Sequence, residues 1–100
     1  MSVPATQRVA EFVVGLQLAQ VPPAAVAAAK GGVLDSVGVA LAGSREEPGR
    51  IAAELARDDA AREESGLFGH HLRSSAALAA FANGTASHAM DYDATFAVTS

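Results

Sequence analysis

Residues 22–43 read PPAAVAAAKGGVLDSVGVALAG, and this stretch decides the fold. Proline cannot continue a helix but suits its first turn, so Pro22 and Pro23 open one. The helix is expected to run to about Leu41. Gly43 is read as its terminator, since glycine accepts the left-handed conformation after a helix end. Val26, Lys30, Val33, Val37 and Leu41 share one face; Ala28, Gly31, Val39 and Ala42 share the opposite one. A helix apolar or small nearly all round is one buried on both sides. Gly31, Gly32 and Gly38 each cost about 1 kcal/mol relative to alanine, with close approach by neighbouring helices as the expected offset. Asp35 lies on the small-residue face, where a buried carboxylate needs a partner, and a structural role is expected for it.

Toward the N-terminus, Val9, Phe12, Val13 and Leu16 follow the i, i+3, i+4, i+7 spacing of an amphipathic helix. Pro4 suits its first turn, and Gln20–Pro23 breaks it. Toward the C-terminus, Ser44–Gly49 is a polar connection. Pro48 opens a third helix with a narrow stripe of Ile51, Ala52, Leu55 and Ala56. Asp58, Asp59, Arg62, Glu63 and Glu64 read as solvated surface. The glycine-bounded Gly66–Leu72 fits a short strand or hairpin. Ser74 or Ser75 is the expected N-cap of a fourth helix, with Leu78, Phe81, Ala82, Thr85 and Ala89 on its apolar face. Asn83-Gly84 is a breaker pair where that helix is expected to stop or kink. The fold class is all-α: a cluster of helices with short connections and one short strand or hairpin.

Composition bounds the rest. One hundred residues make one small domain. Half are apolar, but much of that half is alanine, which buries little area, so free-standing stability is expected to be marginal. The net charge is −4 and the pI about 5.1. Lys30 is the one lysine and the arginines are dispersed, which excludes the clustered positive charge of a nucleic-acid footprint. There is no cysteine, hence no disulfide and no thiolate metal site. Met1–Arg8 has no signal core, and no run approaches the roughly 18 apolar residues of a membrane span. A cytoplasmic protein with no membrane partner is the expectation.

The stretch richest in chemistry is NGTASHAMDYDATFAVTS, residues 83–100. On a continuing helix, Gly84, His88, Asp91 and Thr95 project within about 60 degrees of one another. An imidazole, a carboxylate and a hydroxyl then share a face beside a glycine that leaves room, a surface suited to a small polar substrate. The histidine can move a proton near neutral pH and the carboxylate can orient a partner. A surface pair of His88 and Asp91 with a capping threonine fits the same pattern. Asp93 is expected to point away. His88, Asp91 and Asp93 also invite a metal reading, but a site needs three or four convergent ligands, and the aspartates diverge on a helix; no metal is expected. His70 and His71 are adjacent and point apart. No GxGxxG, phosphate-binding loop or GxSxG motif is present.

Three segments carry a family resemblance: AEFVVGL (10–16), VPPAAVAAAKGGVLDSVGVALAGS (21–44) and AALAAFANGTASHAMDYDAT (76–95). In their order and spacing they resemble the N-terminal part of the MmgE/PrpD family, which includes 2-methylcitrate dehydratase, cis-aconitate decarboxylase and iminodisuccinate epimerase. NGTASHAMDYDAT is the specific block. The resemblance implies a cofactor-independent, metal-independent lyase or epimerase on small polycarboxylates, abstracting a proton next to a carboxylate. It implies a homodimer built on a large helical domain and a smaller α/β domain. It places Asp91 and Thr95 in the site as catalytic and substrate-binding residues, with His88 in a supporting role. Residues 1–100 then correspond to the start of the helical domain, an incomplete one, and by themselves are expected to show no turnover. Two departures stand out. Ala94 replaces a second consecutive acid of the family motif, and the sequence ends at Ser100 before the motif's following histidine. A stand-alone helical dimerisation fragment is the alternative, and a metal-binding helix pair a third reading.

Overall fold

The computed structural model describes residues 3–58 and 62–94. The chain divides into two compact units, Met1–Lys30 and Gly31–Ser100.

The first unit holds α1, Ala5–Gly15, a short 3-10 turn at Leu18–Gln20, and the opening turns of α2, Pro23–Gly43. Pro4 is the N-cap of α1, and its carbonyl accepts the Arg8 N–H at 3.1 Å. The periodic stripe is present as a helix, yet no residue of α1 is buried; Val9, Phe12 and Val13 are all exposed. Pro22 and Pro23 open α2 as expected: the Pro22 carbonyl accepts the N–H groups of Ala25 and Val26 at 2.9 and 3.1 Å.

The second unit holds the rest of α2, α3 at Glu47–Asp58, a two-stranded antiparallel hairpin of β1 (Ser65–Gly66) and β2 (Arg73–Ser74), and α4 at Ala76–His88. Ser65 pairs with Ser74 and Gly66 with Arg73, so Gly66–Leu72 is the hairpin's loop side. The all-α reading with one hairpin stands.

Several expectations about faces do not. Of α2, Ala40 and Gly43 alone are buried, and Asp35, Val33 and Leu34 are exposed. A Cβ added at Gly31, Gly32 or Gly38 meets nothing within 4 Å. The close approach comes instead at Gly43, where an added Cβ would fall on the Ala86 carbonyl of α4. Gly43 therefore ends the helix as a contact point and not as a left-handed cap; Gly69, at φ 77°, is the glycine with positive φ among the described residues. Helix α2 is also long and apolar enough to cross a membrane by length and composition, with a mean hydropathy of 1.4 over its window. The expectation that no run approaches the length of a membrane span is thereby corrected: Lys30 and Asp35 interrupt the apolar run without lowering the mean of the whole window below that of a span.

The core lies between α3 and α4. It consists of Ala52, Ala53, Ala56, Leu67, Ala79 and Ala82, with Leu72 and Leu78 packed against it. Both helices are thus rotated from the expected stripes: Ile51, Leu55 and Phe81 are more than half exposed. The reason is steric. Alanine faces let two helices close together, and the larger side chains are left at the flanks.

Side-chain hydrogen bonds fasten the hairpin to this pair. Ser74 Oγ, fully buried, donates to the Ala56 carbonyl at 2.7 Å. Ser75 is the N-cap of α4, its Oγ accepting the Leu78 N–H at 3.3 Å. Asn83 does not break α4, because its amide is engaged elsewhere. Oδ1 accepts the Phe68 N–H at 2.8 Å, and Nδ2 donates to the Gly66 carbonyl at 3.1 Å.

Candidate functional site

Helix α4 runs through Asn83-Gly84 and stops at His88. Its last turn tightens: the Ala89 N–H reaches the Ala86 carbonyl at 3.3 Å, and the Asp91 N–H reaches the His88 carbonyl at 2.9 Å. Asp91 takes φ 58°. Apart from glycine, aspartate and asparagine are the residues that adopt this left-handed conformation most readily. A helix cannot continue through it, so His88 and Asp91 do not share the face of one continuing helix. Thr95 lies outside the described residues.

The turn brings together what a straight helix would have separated. His88 Nδ1 lies 2.8 Å from Asp93 Oδ1, the reverse of the expectation that Asp93 points away. Donor atoms of His88, Asp91 and Asp93 all lie within 4.8 Å of one another. The premise that the two aspartates diverge, used against a metal reading, is therefore corrected. The arrangement still offers three ligands on an exposed turn, and one of them, Nδ1, is already bonded to Asp93.

The hydrogen bond to Asp93, then the carboxylate's charge, raise the His88 pKa above the ordinary imidazole value, and the Asp91 charge adds to this. The same hydrogen bond lowers the Asp93 carboxyl below its ordinary value. Both side chains stay solvent-accessible, at 69% and 39% exposure, so the pair adds little to fold stability.

His88 and Asp91 open onto a groove of about 850 Å³, lined also by Pro48, Phe81, Gly84 and Thr85. Gly84 leaves open space there, since an added Cβ would meet nothing within 4 Å. Thr85 is held by its Oγ1 donating to the Phe81 carbonyl at 2.9 Å. A second, apolar hollow of about 400 Å³ adjoins it along Ile51, Leu55 and Phe81. Of the expected site residues, the structure brings His88 and Asp91 to one groove, and Asp93 bonds His88 without lining the groove. The signal that would have found Asp93 is the aspartate three residues past His88, a residue type prone to end a helix by turning back. His70 and His71 stand apart from this groove. His70 Nε2 is buried without a hydrogen-bond partner among the described residues, and His71 is exposed.

Residues 7–100 match the family model of the MmgE/PrpD N-terminal domain. The chain belongs to the MmgE/PrpD family. Comparison with curated proteins and with solved structures gave no match. The MmgE/PrpD match begins within α1 and includes the whole of α2, the hairpin and the groove.

Proposed function

We propose that this chain forms the N-terminal helical part of a cofactor-independent lyase or epimerase acting on small polycarboxylates. The observation that carries the reading is a proton-transfer group and a carboxylate, His88 and Asp91, at one groove in a chain of the MmgE/PrpD family. Asp91 binds or orients the substrate through its hydroxyl or protonated groups, and Thr95 is assigned to the same task from the family motif. The reaction class is proton abstraction next to a carboxylate, followed by loss of water, loss of carbon dioxide or reprotonation.

Among the described residues no arginine or lysine lines the groove, and a di- or tricarboxylate requires such cations. We assign the remaining binding groups to further protein of the homodimer that the family resemblance implies, in the cytoplasm. The apolar α2 fits burial under that protein better than a bilayer. Lys30 and Asp35 fall near its middle, and each charge at the centre of a membrane span costs about 2.5–3.5 kcal/mol.

The test is deuterium exchange from solvent into cis-aconitate, 2-methylcitrate and related polycarboxylates by the whole protein bearing this chain. Exchange or product formation that disappears with Asp91→Ala supports the proposal. Absence of both across the panel refutes it. A helical dimerisation fragment without catalysis is the second reading, favoured by the exposed apolar flank of α2. An intact cellular mass of 10.1 kDa with a dimeric sedimentation coefficient would select it.

A further inference from the structure

We propose that the hydrogen bond between Asp93 and His88 is a clamp on the backbone of Asp91, which makes Asp93 a positioning residue for the carboxylate at the groove. What Asp91 does to substrate rests on the functional reading above. The clamp rests on the geometry of residues 88–93 and gives His88 a supporting role.

Asp91 lies between the two ends of this clamp. Before it, its own N–H reaches the His88 carbonyl at 2.9 Å. After it, Asp93 Oδ1 lies 2.8 Å from His88 Nδ1. The chain is therefore tied to His88 on both sides of Asp91, once through backbone and once through side chains. His88 is a fit anchor because it is the last residue of α4, and the turn before it carries the Ala86 carbonyl close against Gly43.

The torsion inside the clamp is one that needs holding. Asp91 has φ 58°. Aspartate enters this left-handed region more readily than most residues, yet right-handed and extended backbone are its lower-energy choices. On a continuing right-handed helix, residue 93 would stand about 140 degrees around the axis from His88. The bond and the helical torsion therefore exclude one another. The same turn leaves Asp91 beside Gly84, Thr85 and His88 at the groove. Asp93 bonds the histidine without lining that groove, so its route to substrate space runs through the turn it closes.

The energy scale suits a local choice and not a fold. Both side chains are exposed, at 69% and 39%, and an exposed pair adds little to folding. The choice between two backbone conformations of one residue is decided by amounts of that size. Losing the bond leaves α4 intact and lowers the fraction of molecules with Asp91 at the groove roughly two- to fivefold. Substrate that binds only the competent fraction then binds more weakly by that factor, while the saturated complex reacts as before.

The experiment uses the whole protein bearing this chain and compares wild type, Asp93→Ala and Asp93→Asn. Exchange of solvent deuterium into a polycarboxylate is measured against its concentration, and crystal structures of wild type and Asp93→Ala read the Asp91 torsion. Asp93→Ala is expected to raise KM roughly two- to fivefold and to leave kcat unchanged. Asparagine keeps an oxygen that accepts from Nδ1, so Asp93→Asn recovers most of the wild-type KM. Asp91 is expected to be left-handed in wild type and to leave that region in Asp93→Ala. With an active wild type, a kcat that falls at unchanged KM, an Asp93→Asn no better than Asp93→Ala, or a left-handed Asp91 in Asp93→Ala overturns the proposal and leaves the polycarboxylate reading standing. An Asp93→Ala protein that fails to fold also overturns it, because the bond would then serve the fold. A wild type that exchanges nothing overturns the polycarboxylate reading instead, and the Asp91 torsion in the two structures then decides the clamp.

Discussion

Two alanine substitutions in the same helix should act with opposite sign. At Gly43, the added methyl falls on the backbone carbonyl of Ala86, with the Ala86 carbonyl carbon at 2.9 Å and the Ala89 Cβ at 3.3 Å. Backbone cannot swing aside as a flexible side chain can, so the end of α4 must shift. Overpacking of this kind costs about 1–3 kcal/mol. Relief of the glycine's helix penalty returns about 1 kcal/mol, leaving Gly43→Ala destabilised by up to about 2 kcal/mol. Gly38 sits five residues earlier with nothing within 4 Å of its added methyl. Gly38→Ala should therefore gain about 0.5–1 kcal/mol from backbone entropy and propensity alone. Urea denaturation of the chain, followed by far-ultraviolet circular dichroism, measures both. For a domain of this size, 1 kcal/mol corresponds to a melting shift of about 4–8 °C, well within resolution. If Gly43→Ala is as stable as Gly38→Ala, α2 does not meet α4 at Ala86.

Two further outcomes follow from the turn. Asp91→Gly places a residue indifferent to left-handed backbone at φ 58°. The chain should keep or gain up to about 1 kcal/mol of stability, while the whole protein's exchange activity falls at least about tenfold for want of the carboxylate; loss of folding in this variant would contradict the backbone assignment. The His88–Asp93 pair sets a pH window. The raised His88 pKa gives a contribution that is full below the unfolded imidazole value, about 6.5, and is lost as pH rises through the folded one. The lowered Asp93 pKa gives one present above the unfolded carboxyl value, about 3.9, and lost as pH falls through the folded one. The pair should therefore hold best between about pH 4 and 6.5, with little effect on overall stability because both groups are exposed; an NMR titration of His88 that is unchanged in Asp93→Asn would refute the coupling.

Legibility followed the range of the forces involved. Helix starts were readable because proline geometry and serine capping act over three or four residues; Pro22–Pro23 and Ser75 both hold. The hairpin was readable from its bounding glycine and short apolar run. The breaker reading of Asn83 failed because two hydrogen bonds to residues 15 and 17 positions away outweigh a local preference. The buried faces of α3 and α4 were misjudged for a related reason. Periodicity weights large side chains, but the core was assembled from alanines that permit close approach.

For the site, the family membership and the residue types were legible in one short block, since His88 and Asp91 carry their chemistry with them. Their grouping was not. Whether Asp93 joins or leaves His88 depends on a single backbone torsion at Asp91, and that torsion belongs to the ending of α4. The sequence by itself determined four helices, one hairpin and the chemical groups near residue 90. Tertiary structure alone decided which faces are buried, that Gly43 is a contact and not a cap, and that Asp93 turns back to His88. The physical reason is one of scale. Propensity and capping are local and read along the chain, whereas close packing of backbones and the direction of a turn depend on atoms that meet only once the chain has folded.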